Sequence, residues 1–187
     1  MPPKVRISKE DIINTALEIV RESGADALNA RSIAKALGCS TQPVFSNFAT
    51  MDELQDAVNA AAYEEYLGFL KRETESGKYP QYKSFGMAYI RFASEEKHLF
   101  KMLFMCDREG KELTHGPDFD ASVEMIMKAN GIGWEKARLM HLEMWTCVHG
   151  IGTMLATSFL PLEWELISDM LTDVYQGVRT RHLSGEN

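Results

Sequence analysis

Apolar residues recur along this chain at spacings of three and four, the period of helices with one buried face. The first such run follows Ser8, which can cap a helix with Asp11 three residues on. Ile13, Leu17 and Val20, with Ala16 beside them, share one face, and Gly24 is placed to end the element. A short second helix is predicted over residues 30–37, capped by Asn29, with Ile33, Ala34 and Leu37 buried and Gly38 as its terminator. Ser40 can cap a third helix reaching about Asn47. Thr50 and Glu53 form a T-x-x-E box that opens a long fourth helix, which meets no Pro or Gly before Gly68 and can continue to Glu75. Gly77 and Pro80 punctuate the chain. Helical patterns follow over residues 82–94, 97–105, 118–130, 135–158 and 162–182, and the polar stretch 106–117 is the least regular. No strand alternation and no internal repeat stands out. The expected fold class is all-α, with about nine helices.

One stretch breaks the pattern. "GCSTQPVFSNF", Gly38 to Phe48, carries no charge and sets a run of short hydrogen-bonding side chains beside two aromatics three apart. A short helix ending at Gly38, a three-residue turn and a second short helix make a helix-turn-helix. Ala34 leaves room for the second helix, and Gly38 supplies the positive φ of a sharp turn. Phe45 and Phe48, with Val44 on the side of Phe48, are expected to pin that helix. Thr41, Gln42, Ser46 and Asn47 then point outward. Gln and Asn pair bidentately with adenine, and hydroxyls serve several bases. The helix start offers free N–H groups to a phosphate. Pro43 falls in the first turn, where its missing N–H costs no intrahelical bond, although it disfavours helical geometry at Gln42.

Charge sharpens this reading. The 187-residue chain has a net charge of −7, which argues against a protein that coats nucleic acid nonspecifically. Up to Phe48, however, six basic residues face five acidic ones, and the remainder holds −8. The N-terminal quarter is spared the acidity of the rest, as an anionic partner there requires. Cys39, Cys106 and Cys147 are far apart, odd in number and form no CxxC pair, which points to a reducing, cytoplasmic setting. The N-terminus has no apolar core of a secretion signal. The uncharged segment from Met144 to Leu162 exceeds the roughly 18 residues of a membrane span. Its His149, Gly150, Gly152 and Pro161 instead mark a helix buried in a protein core, so no membrane partner is expected. No Ser/His/Asp set, phosphate loop or metal-ligand spacing stands out, so neither enzyme activity, nor a metal, nor a cofactor is expected.

Residues 7–54 resemble the DNA-binding domain of the TetR/AcrR family of bacterial transcriptional regulators. The resemblance is carried by "ARSIAKALGCSTQPVFSNFATMDEL", in which Ile33, Ala34 and Gly38 match the family's I-A-x-x-x-G, and Phe45 to Phe48 its aromatic-x-x-Phe. Two positions depart from the pattern: Phe45 stands for a tyrosine and Met51 for a lysine. Both changes remove phosphate contacts and imply weaker nonspecific binding with a modest salt dependence. The resemblance implies a helix-turn-helix DNA-binding domain at residues 1–50 and a helical effector-binding and dimerisation domain at 51–187. The candidate DNA contacts are Asn29, Arg31, Ser40, Thr41, Gln42, Pro43, Phe45, Ser46 and Asn47.

In the C-terminal part, "EMWTCVHGIG" sets His141, Trp145 and His149 four apart and is similar to the Trp-x-x-x-His-Gly motif of one TetR subgroup, as is "YIRFASEEKHLFKMLF". The many Met and Phe residues suit an ordinary core or a deformable apolar pocket. The candidate pocket residues are Phe69, Phe92, Phe104, Trp145 and His149, for an unknown small-molecule effector. On the last helix Trp164, Ile167, Leu171, Val174 and Val178 form one stripe. Two long helices from each of two chains would make a four-helix bundle and a homodimer. Its reading helices would lie about 34–36 Å apart on operator DNA. The expected function is a ligand-responsive regulator, a repressor released by an apolar molecule. The alternatives are an interaction module with weakened DNA binding and a helical enzyme carrying a helix-turn-helix.

Overall fold

The computed structural model describes residues 7–107 and 117–184 and is all-helical among them. In chain order the helices are α1 Lys9–Ser23, α2 Ala30–Ala36, α3 Gln42–Asn47, α4 Met51–Glu75, α5 Gln81–Glu95, α6 Lys97–Phe104, α7 Pro117–Asn130, α8 Trp134–Ala156 and α9 Trp164–Leu183, with a 3-10 turn at Ala25–Ala27. These match the expected elements to within two residues at each end. Most of the irregular stretch 106–117 lies outside the described residues. No described helix is long and apolar enough to cross a membrane.

The helices form two compact units, one of Met1–Leu67 with Glu96–Cys106, the other of Gly68–Glu95 with Asp107–Asn187. The change of unit falls inside α4, which passes unbroken through Gly68. In the first unit, local caps start the helices. The Ser8 hydroxyl and Asp11 carboxylate bond reciprocally across the first turn of α1. Glu53 donates its amide to Thr50 Oγ1 and accepts from the Ala49 amide at 2.8 Å, one residue before the reciprocal partner of a regular box. The buried stripe of α1 is Ile12, Ala16, Leu17 and Val20. Ile13, expected on that stripe, is only half-buried. Positions 12, 16 and 20 are four apart and stack one turn above another, which leaves 13 on the flank.

A second correction concerns α3. Val44 and Phe48 are both 1 % exposed, whereas Phe45 is 53 % exposed. Four-residue spacing places 44 and 48 on one face, so the anchors are Val44 and Phe48. Lys9 reinforces the second of these, with its ammonium 4.6 Å from the Phe48 ring centroid and 3.3 Å from Glu53 Oε1. Elsewhere in this unit the Arg21 guanidinium serves three carboxylates at once: Glu18, Glu65 at 2.7 Å and Glu96 at 2.9 Å. The His98 ring donates to the Arg21 carbonyl at 3.0 Å, so one residue ties α1 to α4 and to the start of α6.

The second unit packs α5 and α9 on α8. Gly86 of α5 allows a close approach: a Cβ there would lie 3.2 Å from Val148 and 3.4 Å from Leu171. Glu73 and Arg91 form a hydrogen-bonded ion pair between α4 and α5, and Trp164 covers the guanidinium 4.4 Å away. The α9 stripe expected to face a partner is largely used inside the chain. Ile167 and Leu171 are buried, and Val178 packs against a cluster of Val123, Ile126, Ala137 and Met140.

Phe48→Ala will cost about 3–5 kcal/mol, the usual loss for a buried phenylalanine. Phe45→Ala will stay within about 0.5 kcal/mol of wild type, as exposed substitutions do. Urea unfolding of the full chain checks both, and equal losses would put Phe45 back among the anchors. Arg21→Met leaves three carboxylates facing one another. It should cost roughly 1–3 kcal/mol, below the full buried-pair value because the site is partly exposed. Added salt should recover part of the loss by screening the repulsion. A loss that does not respond to salt would show that packing, not charge, is Arg21's contribution.

Candidate nucleic-acid interface and effector residues

The turn between α2 and α3 is set by backbone hydrogen bonds. The Gly38 amide bonds the Lys35 carbonyl at 3.2 Å and the Cys39 amide bonds the Ala34 carbonyl at 2.9 Å. With Gly38 at φ +65°, this is a Schellman closure. α3 then begins with Pro43 in its first turn. The expected Ser40 cap is not formed. Thr41 takes the N-cap position with helical φ and ψ, and no side chain caps the helix. The Thr41 carbonyl instead accepts from both Val44 and Phe45. Pro43 has no N–H and the Val44 and Phe45 amides are bonded to Thr41, so Gln42 is the first-turn residue whose amide can meet an anion.

The nine candidate DNA contacts divide by what their side chains already do. Asn29 is engaged in capping α2. Its Oδ1 accepts from the amides of Arg31 and Ser32, and its Nδ2 donates to the Ala27 carbonyl. Ser46 Oγ donates to the Gln42 carbonyl and Asn47 Nδ2 to the Pro43 carbonyl, both at 2.8 Å, back-bonding along their own helix. Asn47 is also half-buried. Arg31, Ser40, Thr41 and Gln42 have no side-chain partner among the described residues, and Arg31, Ser40 and Gln42 are exposed, as is Phe45. Pro43 is half-buried and carries no donor. One residue joins the set: Lys35, exposed, unpaired and one turn from Arg31. Its signal in the sequence is the i, i+4 spacing. No acidic residue lies between Asp26 and Asp52, so these two cations give the surface a local positive charge.

The five candidate pocket residues fall into three ring clusters. Phe104 belongs to the first unit, set edge-on to Tyr66 at 5.5 Å and beside Phe100 at 5.4 Å. In the second unit, Phe69 and Phe92 form a buried edge-to-face pair at 5.4 Å. Also there, Trp145, 45 % exposed, stacks flat on His149 with ring centroids 5.0 Å apart. His149 Nδ1 is hydrogen-bonded to the Tyr89 hydroxyl at 2.8 Å, and burial pushes its pKa below the usual histidine value. The imidazole is thus neutral at neutral pH. His141, on the same face of α8, is buried, bonded to the Tyr82 hydroxyl at 2.9 Å and met edge-on by Phe119. Tyr82 and Tyr89 lie about sixty positions away in sequence, and no local signal pairs them with these histidines. Among the described residues no three His, Cys, Asp or Glu side chains gather as metal ligands would.

No protein-family model and no curated protein matches the sequence. Solved structures do match the fold. A protein of unknown function from Rhodococcus sp. RHA1 superposes with a TM-score of 0.74 at 18 % identity, over 95 % of this chain and 98 % of that one. A TetR-like transcriptional regulator from the same organism gives 0.70 at 14 % identity over the whole of both chains. A TetR variant from Acinetobacter baumannii AYE, solved in complex with minocycline, gives 0.54 at 17 % identity over 96 % and 97 %. The helix order, the Schellman-closed turn and these superpositions agree: the chain has the fold of the TetR-like transcriptional regulators.

Proposed function

We propose that the chain is a ligand-responsive, DNA-binding regulator of transcription, acting as a repressor that a small apolar effector releases from its operator. The observation that carries this reading is α3 itself. Its inner face is committed to Val44 and Phe48, while Gln42 and Phe45 face solvent beside the acid-free cations Arg31 and Lys35. Gln42 supplies the base-reading amide, Phe45 an apolar contact for a thymine methyl, and Arg31 and Lys35 the phosphate contacts. Asn29, Ser46 and Asn47 act by shaping the helices that present the others. The DNA-binding part is residues 1–50 and the effector and dimerisation part residues 51–187. The effector site is best supported in the second unit, where the preset Trp145–His149 stack offers an aromatic surface. An effector can act only by binding the operator-competent and released conformers with different affinity. The continuous α4 is the covalent path between the two parts.

A homodimer is supported by a matched pair of helix faces. Leu139 and Gly150 on α8 are eleven residues apart, as are Leu166 and Gly177 on α9, a spacing that returns to the same side of a helix after three turns. Both leucines are exposed. Apart from its chain neighbours and its own helix backbone, neither glycine has an atom of the described residues within 4 Å of its Cβ position, although a mid-helix glycine costs about 1 kcal/mol against alanine. A partner helix crossing at these points would explain both residues.

The reading helix is tested by selecting bound duplexes from a random DNA pool. Wild type should enrich a two-fold symmetric site. Gln42→Ala should lose about 1–3 kcal/mol of discrimination at one position per half-site, with its folding unchanged. Failure to enrich any sequence would leave the interaction-module reading in its place. For the dimer, sedimentation equilibrium should give two chains for wild type. Gly150→Leu or Gly177→Leu should weaken association at least tenfold with helix content retained. A monomeric wild type would end that part of the proposal.

A further inference from the structure

Several cations of this acidic chain meet a carboxylate in an ion pair. In the second unit Lys71, Arg91, Lys128, Arg138 and Arg181 each pair with a carboxylate. Lys83, half-buried on α5, does not. Its ammonium donates instead to two neutral hydroxyls on α9, Ser168 Oγ and Thr172 Oγ1, each at 2.7 Å. A second unpaired ammonium, Lys78, lies 5.1 Å from the Tyr79 ring centroid, the same distance as Lys83. Two positive charges thus border one ring, with no carboxylate of the described residues in ion-pair contact with either.

The donors can be counted. An ammonium has three N–H groups, and Lys83 uses two of them on the hydroxyls. Thr172 gives its own proton to the Ser168 carbonyl at 3.0 Å. The Ser168 hydroxyl accepts from Lys83, and its proton has no acceptor among the described residues. One N–H and one O–H, held 2.7 Å apart by their mutual bond, therefore remain to be satisfied. Two adjacent donors beside a positive charge suit the oxygens of a carboxylate or phosphate, and such charge-assisted bonds are the strong ones. Glu165 and Asp169 are exposed on the same stretch of α9 and pair with neither lysine. Their field opposes a bare counter-ion, so affinity here must come from directed hydrogen bonds rather than net charge.

We propose that Lys83, Ser168 and Thr172, with Lys78 bordering the same Tyr79 ring, form an oxyanion-binding site that takes a carboxylate or phosphate group. The site is independent of the regulator reading. Ser168 and Thr172 lie on the side of α9 roughly opposite Leu166 and Gly177, and none of these residues belongs to the Trp145–His149 stack.

The test is calorimetric titration of the full-length protein with inorganic phosphate and with succinate, against sodium chloride at matched ionic strength. Saturable binding of phosphate, succinate or both, absent with chloride, is the expected result. The probe that binds shows whether phosphate or carboxylate is the group recognised. Lys83→Met and Ser168→Ala should each weaken binding roughly tenfold or more. Lys128→Met, which removes the same charge from an exposed pair elsewhere, should leave it intact. Ser168→Ala decides the matter if Lys83→Met does not fold. No saturable binding of either probe, an equal response to chloride, or binding unchanged in the folded variants would overturn the site.

Discussion

A helix of six residues cannot stand alone, because nucleation is costly and each end leaves backbone groups unpaired. α3 therefore exists through what holds it: Val44 and Phe48 in the core, the Schellman closure at Gly38 behind it, and Lys9 laid over the Phe48 ring. The surface it offers follows from that attachment. With 44 and 48 turned inward, 42 and 45 must turn outward, and the exposed amide and aromatic ring of the candidate interface are the other side of the packing solution. The packing of α3 and the surface it exposes are one constraint.

Electrostatics complete the surface by subtraction. The chain is acidic, and a few of its carboxylates are drawn into the joints between helices. Arg21 draws together carboxylates from α1, α4 and the start of α6, and Arg91 holds Glu73. The chain has no acid between Asp26 and Asp52, and Arg31 and Lys35 have no ion-pair partner among the described residues. Two exposed cations amount to a small positive surface, which favours selective contacts over strong nonspecific attraction. In α8 the polar groups are treated differently. His141 and His149 enter a mostly apolar helix bonded to Tyr82 and Tyr89, which meets the requirement that a buried polar group find a partner. The same bonding orients His149 so that the exposed Trp145 has a flat partner to stack on.

By itself the sequence determined the helices and their ends. Caps such as Ser8 with Asp11, Asn29 with Ser32 and Thr50 with Glu53 act over three residues, and Gly38 ends α2 through bonds to its own neighbours, so the information is local. The helix-turn-helix and its outward Gln42 were legible for the same reason. Which partner each face met came from the packing of the helices. Periodicity identifies an apolar stripe but not what covers it. Ile12 displaced Ile13, Phe45 turned out of the core, and the α9 stripe was spent on the chain's own interior rather than on an external surface. The aromatic candidates likewise parted into three clusters, because ring contacts such as Phe69 with Phe92 depend on how separate helices cross. Hydrogen-bond partners sixty or more positions apart, Tyr89 with His149 and Lys83 with Ser168, arise from the same crossings, and chain spacing carries no trace of them.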